Sequence, residues 1–477
     1  MKKCFVGLSL LFSLQSFAQS TITWLAPVPV AAASYGHMHP RIVLNGSNDP
    51  VILWGSSAAG GSNMLSVWNG SGFTTPVTLN PSTLPVFTAS WGGSDMAAKG
   101  DTVYVVMKNL PEETGKVYIT RSFDGGKSWS SPVGLPASDT SRLPAITTND
   151  AGQPMVSYMR FGSAGHQWVA ARSTNYGGTF SPAVLASNVD GEVCDCCPGS
   201  LVRSGNTVVS LYRNAKANVR TIWARISKDG GATFSDSLEV DNTNWQVMSC
   251  PSSGPDAILV DGELYTVFRS SVLGTRIYLS KASLSSPQLH SVDQYGSTFS
   301  GFSQQDYPRI AHAGHNAAMV WKQVVNNKSK LCFTFADHIM HGFPANYDTL
   351  ATTGTNNADI AMSPGVIHVV WEDALTGSVM YRKGLYAPVS VKDVPVMSRS
   401  IDVYPNPAGS YFTISSAHIT DVKTCLLIDN MGKSFLLHAK KADNGYSFPL
   451  MGVPKGLYTV QLTNAVGNVY QAKLSVN

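Results

Sequence analysis

Three boxes of one pattern punctuate the chain: Ser122–Trp129 (SFDGGKSW), Ser173–Phe180 (STNYGGTF) and Ser227–Phe234 (SKDGGATF). All fit Ser-x-Asp/Asn-x-Gly-x-x-aromatic, and their starts lie roughly fifty residues apart, the period of one copied supersecondary unit. The chemistry of the box is local. Asp or Asn bonds backbone groups two residues on, glycine supplies positive φ, and the pair makes a hairpin turn. The aromatic then plugs into the adjoining apolar layer. A strand precedes each box (KVYITRS, QWVAARS, TIWARIS) and another follows it (SSPVGL, SPAVLA, DSLEV). The box is a folding device and says nothing directly about chemistry.

Each box belongs to a longer unit that opens with a small-residue strand and continues with a strongly apolar one. The openings are PRIVL, DMAAK, LPAIT, SLVRS, DAILV, PRIAH and DIAMS. The second strands are VILW, TVYVVM, MVSYM, TVVSLY, LYTVF, AAMVW and VIHVVW. Third strands follow in every unit. Copies of this kind run from about Pro40 to Val391. Four short strands per unit at near-constant spacing predict an all-β fold, a β-propeller. Seven blades are favoured; six is the alternative if one terminal unit is not a blade. Residues 21–30 (TITWLAPVPV) read as a lone fourth strand that completes the last blade. A β-sandwich pair or a β-solenoid is the competing architecture.

With 477 residues the chain has room for two or three domains. Charged residues are only 13%, with 42 Gly and 26 Pro, which suits a turn-rich secreted β protein. The formal charge is +4 and no basic stripe argues for nucleic acid. Residues 1–18 read as a signal peptide: Lys2 and Lys3, then the apolar run Phe5–Leu14, then the small-x-small site Ser16-Phe17-Ala18. No later apolar run is long enough to span a bilayer. The mature protein is expected to be exported and soluble.

The boxes resemble the Asp-boxes of the sialidase-like (BNR-repeat) superfamily of propellers. The resemblance covers roughly residues 22–393, so the propeller is placed at 19–393. It is fairly specific for the fold and weak for activity, because lyases and lectin-like proteins carry such boxes too. The last stretch, 394–477, is a separate module expected to form a small β-sandwich. Tyr404-Pro405-Asn406-Pro407, Gly456-Leu457-Tyr458 and the terminal Lys473-Leu474 resemble the C-terminal sorting domain of the type IX secretion system. That resemblance implies a Bacteroidetes-type source, outer-membrane export through that machinery, and release or surface attachment. An accessory binding module is the alternative.

In a propeller, the loops entering first strands and leaving second strands open on one face. Counting back along each unit aligns Arg41, Asp95, Pro144, Ser200, Asp256, Arg309 and Asp359 at the channel. Behind them come Gly55, Lys108, Arg160, Arg213, Arg269, Lys322 and Glu372. Such a face suits an anionic ligand, because converging guanidinium groups bind carboxylates bidentately. The sialidase family holds its substrate carboxylate with three arginines. Pro40-Arg41-Ile42 resembles that family's Arg-Ile-Pro region without its second proline, and Arg213, Arg269 and Arg309 are the candidates for the other two. The resemblance also asks for a Tyr nucleophile beside a Glu, and an Asp acid/base. Tyr307 and Asp95 are the residues to ask. Mutual pairing of these charges in a water-filled channel is the plain alternative.

Cys194-Asp195-Cys196-Cys197-Pro198 and Met248-Ser249-Cys250-Pro251 lie in loops entering neighbouring first strands. The combination resembles an uncharacterised subset of sialidase-like secreted proteins. Four near cysteines in an exported chain point to two disulfides, one joining Cys250 to the cluster. The alternative is a soft metal bound by Cys194, Cys196, Cys197 and Cys250, with His37 and His39 of the blade 1 loop in reach. No motif requires a cofactor. Cys332 and Cys425 read as buried core cysteines.

These features predict a secreted propeller, expected to be a monomer, that acts on or binds a glycan or polysaccharide, preferably acidic. If catalytic, it would be a sialidase-type glycoside hydrolase using Asp95 and Tyr307, with Asp256 and Asp359 beside the substrate. The alternatives are a non-catalytic adhesion propeller and a polysaccharide lyase, in which His37 or His39 would matter more.

Overall fold

The computed structural model describes residues 22–33, 36–57, 60–136, 140–162, 165–188, 190–296, 303–352, 354–387, 399–415, 422–429, 434–442, 445–464 and 469–477. The segment 1–18, read as a signal peptide, lies outside them. The chain divides into two compact units, 1–389 and 390–477.

The described part of the first unit contains seven antiparallel sheets of at least four strands. Their first strands are His37–Leu44, Asp95–Lys99, Thr140–Thr148, Ser200–Ser204, Asp256–Val260, Ser303–Ala313 and Thr355–Ser363, and we number the sheets 1 to 7 in that order. Sheets 1 to 3, 5 and 6 run strand by strand in chain order. Sheet 4 adds Glu192–Val193 beside its second strand. Sheet 7 takes its outermost strand from the start of the chain: Thr23 pairs with Leu385, and Val28 with Tyr381. The stretch read as an orphan fourth strand thus closes the ring.

Apolar clusters fill the gap between each sheet and the next. Val51, Leu53, Val103 and Val105 pack between sheets 1 and 2. Ile42, Trp54, Val370 and Tyr381 pack between sheets 7 and 1. Second strands are therefore covered on both faces, and Pro50–Ser56 is buried along its whole length. This is why they read as unbroken apolar runs instead of alternating ones. The architecture is a β-propeller.

The boxes fold as local chemistry dictates. Asp229 Oδ1 accepts the N–H groups of Ala232 and Thr233, each at 2.9 Å, and the Ser227 hydroxyl at 2.7 Å. Gly231 takes φ 84°, and Phe234 is buried against the sheet.

The second unit has a five-stranded and a three-stranded sheet. They enclose one core that includes Phe412, Leu427, Phe448 and Leu462, with Cys425 fully buried in it. Cys332 is likewise buried, between sheets 5 and 6.

Candidate functional site

First strands meet at the channel, and four of them are irregular where they begin. Register shifts fall between Met38 and Arg41, Arg142 and Ala145, Asp306 and Arg309, and Thr355 and Ala358. In three of these bulges the residue before a proline is left-handed: His39 (φ 55°), Leu143 (φ 52°) and Tyr307 (φ 52°). A non-glycine residue there is strained, and such strain persists only where the surroundings impose it. All three residues line one cavity of about 160 Å³.

The inner ring read from the sequence assembles around that cavity. Arg41, Asp95, Pro144, Ser200, Asp256 and Arg309 line it, and Asp359 bonds to Arg309 beside it. The three carboxylates share a structural task. Asp95 Oδ2 accepts the Ile146 N–H at 3.1 Å, Asp256 Oδ2 accepts that of Ile310 at 2.9 Å, and Asp359 Oδ2 accepts that of Ile42 at 3.0 Å. Each Asp lies on the first strand of one sheet, and each Ile follows the bulge of the next. Three of the four bulged strands are thus fastened to the preceding sheet by a side chain. Burial raises the carboxyls of Asp95 and Asp256, while the arginines and these N–H groups oppose it.

The cations are tied in as well. Arg309 Nε lies 2.8 Å from Asp359 Oδ1 and 3.5 Å from Asp256 Oδ2. Arg41 Nη1 donates to Pro40 O at 2.9 Å, and its Nη2 lies 2.6 Å from His39 Nε2. Guanidinium can only donate, so His39 Nε2 accepts and Nδ1 carries the ring proton. Burial, with Arg41 and Arg309 close by, holds the His39 pKa well below its usual value, so the ring is neutral. Both His39 Nδ1 and Arg41 Nε are buried without a hydrogen-bond partner; Asp95 Oδ1 stands 3.7 Å from the latter.

The three-arginine arrangement is not assembled. Arg213 and Arg269 do not line the cavity; they flank Trp245, with guanidinium carbons 5.4 and 5.6 Å from its ring centroid. Arg213 Nη2 donates to Arg269 O at 2.8 Å, and Arg269 Nη1 lies 2.5 Å from Asp306 Oδ2. Tyr307 lines the cavity, but burial and Asp306 push its phenol up to about 12. Near the end of its second strand, Glu372 Oε1 accepts from Asn356 Nδ2 at 2.9 Å, and Asn356 Oδ1 accepts from Lys322 Nζ.

Trp91, Leu143, Pro198, Pro255 and Asn357 also line the cavity and were not read from the sequence. The recurring X-Pro at three first strands was the available signal. The cysteine loops do meet. Cys196 and Cys250 form a disulfide across them, while Cys194 and Cys197 are buried thiols with Sγ atoms 3.0 Å apart. The groups with metal-ligand spacing among the described residues are Cys194, Cys196 and Cys197, and Asp195, Cys196 and Cys250. Neither His37 nor His39 joins them: His37 packs against Trp54, and His39 is bonded to Arg41.

Residues 402–477 match the secretion system C-terminal sorting domain. That domain directs type IX secretion, to the cell surface or the extracellular space. Comparison with curated protein sequences gives no match. Solved structures similar to this chain include a protein of unknown function from Dyadobacter fermentans, at 12% identity and TM-score 0.44, covering 76% of this chain and 99% of that one. An ulvan lyase described as a new family of polysaccharide lyase is similar at 10% identity and TM-score 0.47, covering 78% and 96%. The sialidase of Trypanosoma rangeli is similar at 14% identity and TM-score 0.43, covering 95% and 90%.

Proposed function

We propose that this secreted propeller engages the end of a glycan chain and holds an acidic sugar in the channel cavity. The observation that carries the reading is the pair of buried, unpartnered donors, His39 Nδ1–H and Arg41 Nε–H, on two residues of the cavity wall. A buried donor without an acceptor costs about 1–3 kcal/mol. An acceptor on the ligand would satisfy either donor, and the Arg41 charge favours a sugar carboxylate over a hydroxyl. Trp91 and Tyr307 add aromatic surface beside the polar wall, the usual partner of an apolar sugar face.

Binding ranks ahead of hydrolysis. Asp95, raised by burial, has the character of a general acid. Tyr307 keeps its proton, however, and Glu372 is bonded to Asn356 instead of serving as its base. Asp95, Asp256 and Asp359 alike hold a neighbouring strand's N–H, which leaves none of the three as a free nucleophile.

The test is calorimetry of the exported protein with matched acidic and neutral oligosaccharides, repeated with His39→Phe and Arg41→Gln. Tighter binding of the acidic series, lost at least tenfold in either variant, is expected. Equal binding of both series would sink the carboxylate reading. Release of a monosaccharide, or of an unsaturated uronate, would replace binding by turnover.

A further inference from the structure

Sulfur is concentrated where the loops entering sheets 4 and 5 touch. Cys194 Sγ lies 3.0 Å from Cys197 Sγ and 3.6 Å from Cys196 Sγ, and Cys196 Sγ lies 4.0 Å from Cys197 Sγ. Cys196 is bonded to Cys250, fifty-four residues on. The cluster has two ends. Cys194 and Cys197 are 2% and 0% exposed, while Cys250 is open to solvent and Cys196 half-buried.

We propose that Cys194 and Cys197 form a second disulfide in the exported protein, reached by internal exchange through the solvent-facing Cys196–Cys250 bond. The inference stands apart from the glycan reading. It rests on the separations of the sulfurs and on the contrast in exposure.

Two buried sulfurs 3.0 Å apart, one of them 3.6 Å and the other 4.0 Å from the bonded Cys196 sulfur, have the placement from which thiol–disulfide exchange starts.

The step balances without an outside electron acceptor. Cys194 gives its proton to solvent, which returns it to Cys196 at the end, and its sulfur attacks Cys196. The Cys196–Cys250 bond breaks and Cys250 leaves as thiolate at the exposed end. Cys197, after losing its proton to that thiolate, attacks Cys194. A Cys194–Cys197 bond forms and Cys196 is freed. The disulfide has moved inward, with no net oxidation. A disulfide oxidant from outside then closes Cys196 and Cys250 again and is itself reduced to two thiols.

The consequence falls on the cavity. Pro198, Gly199 and Ser200 follow the cluster directly, Gly254, Pro255 and Asp256 follow Cys250, and all six line the wall. Two covalent ties would hold that wall where one does now.

The experiment is thiol mapping of the exported wild-type protein. It is denatured with an alkylating agent and no reductant, then reduced and labelled with a second agent. The expected result is that Cys194, Cys196, Cys197 and Cys250 all carry only the second label. In graded dithiothreitol on the native protein, Cys196 and Cys250 should open before Cys194 and Cys197. First-agent label on Cys194 and Cys197 would overturn the proposal, as would a native mass bearing a metal ion lost on denaturation. In a Cys250→Ser protein, oxidation of Cys194 and Cys197 by glutathione disulfide should slow at least tenfold. Equal rates in the two proteins would overturn the exchange route. If that variant does not fold, the order of opening in the wild type decides alone.

Discussion

Arg309 and Asp359 meet at 2.8 Å across two successive sheets, and the second oxygen of Asp359 holds the Ile42 N–H of a third at 3.0 Å. One carboxylate therefore joins sheets 6, 7 and 1, next to the place where the chain closes its ring. Asp359→Ala should cost about 3 kcal/mol, because it strands a buried N–H and leaves the Arg309 guanidinium only the more distant Asp256, at 3.5 Å. Asp359→Asn should cost less, since an amide oxygen still accepts from Ile42. Denaturant midpoints of the two variants check the order; equal losses would mean that the backbone bond contributes nothing.

Gly254 is where the two cysteine loops press together. A Cβ there would stand 2.1 Å from the Pro198 carbonyl oxygen. Neither is the far end of a flexible side chain, so the loops must part. Gly254→Ala is expected to destabilise by about 1–3 kcal/mol, as overpacking does. It should also weaken glycan binding more than an equally destabilising change remote from the cavity. Calorimetry on both variants separates the two effects.

The contrast between what could be read along the chain and what could not follows from range. The boxes, the apolar second strands and the sorting-domain motifs are made by neighbours in sequence, so periodicity exposes them. Counting back along the repeat also brought Arg41, Asp95, Asp256, Arg309 and Asp359 together, because equivalent positions in a propeller meet at its axis. The partners of those side chains were not legible. Nothing local shows that Asp95, Asp256 and Asp359 each spend an oxygen on the next sheet's Ile N–H, or that Arg213 and Arg269 turn to Trp245 instead of the cavity. The left-handed His39, Leu143 and Tyr307 run against local expectation, since a residue before proline is normally extended. Cysteine connectivity likewise depends on how two distant loops approach.

His368 makes stability sensitive to mild acid. It is 2% exposed, its Nδ1 lies 2.8 Å from the Tyr381 hydroxyl, and burial, helped by Lys383, lowers its pKa to about 4 from 6.5. The unfolded chain then binds the proton more readily than the folded one. Stability is whole above pH 6.5 and falls as the pH drops toward 4, by about 3 kcal/mol over that window. A His368→Gln protein should lack this share of the slope. The check is the difference in urea midpoint between the two proteins at neutral pH and near pH 4.5; an unchanged difference would show that His368 does not titrate in this range.

The boxes offer a comparison already made within the chain, because Asn175 stands where the others have Asp124 and Asp229. Asn175 Oδ1 accepts the Thr179 N–H at 2.8 Å and the Ser173 hydroxyl at 2.9 Å, and its Nδ2 reaches Thr179 Oγ1 at 2.9 Å. An amide thus replaces a carboxylate with all but one of the turn bonds kept, the Gly178 N–H going to the Asn175 backbone oxygen instead of its side chain. Asp229→Asn should accordingly be nearly neutral at pH 7, whereas Asp229→Ala should lose about 1 kcal/mol, the usual effect of removing such an acceptor. The pH response separates the two acceptors further. The Thr233 hydroxyl and N–H, with Ser227 and Ala232, hold the Asp229 carboxyl down to about 2 from 3.8. A depressed carboxyl contributes stability that is present above pH 3.8 and lost as the pH falls through about 2. The Asn variant has no such proton to bind, so, level with the wild type at pH 7, it should become the more stable of the two in strong acid. Parallel acid titrations of the folded fraction would show this, and curves that stay a constant distance apart would mean that the Asp229 charge does not hold the turn.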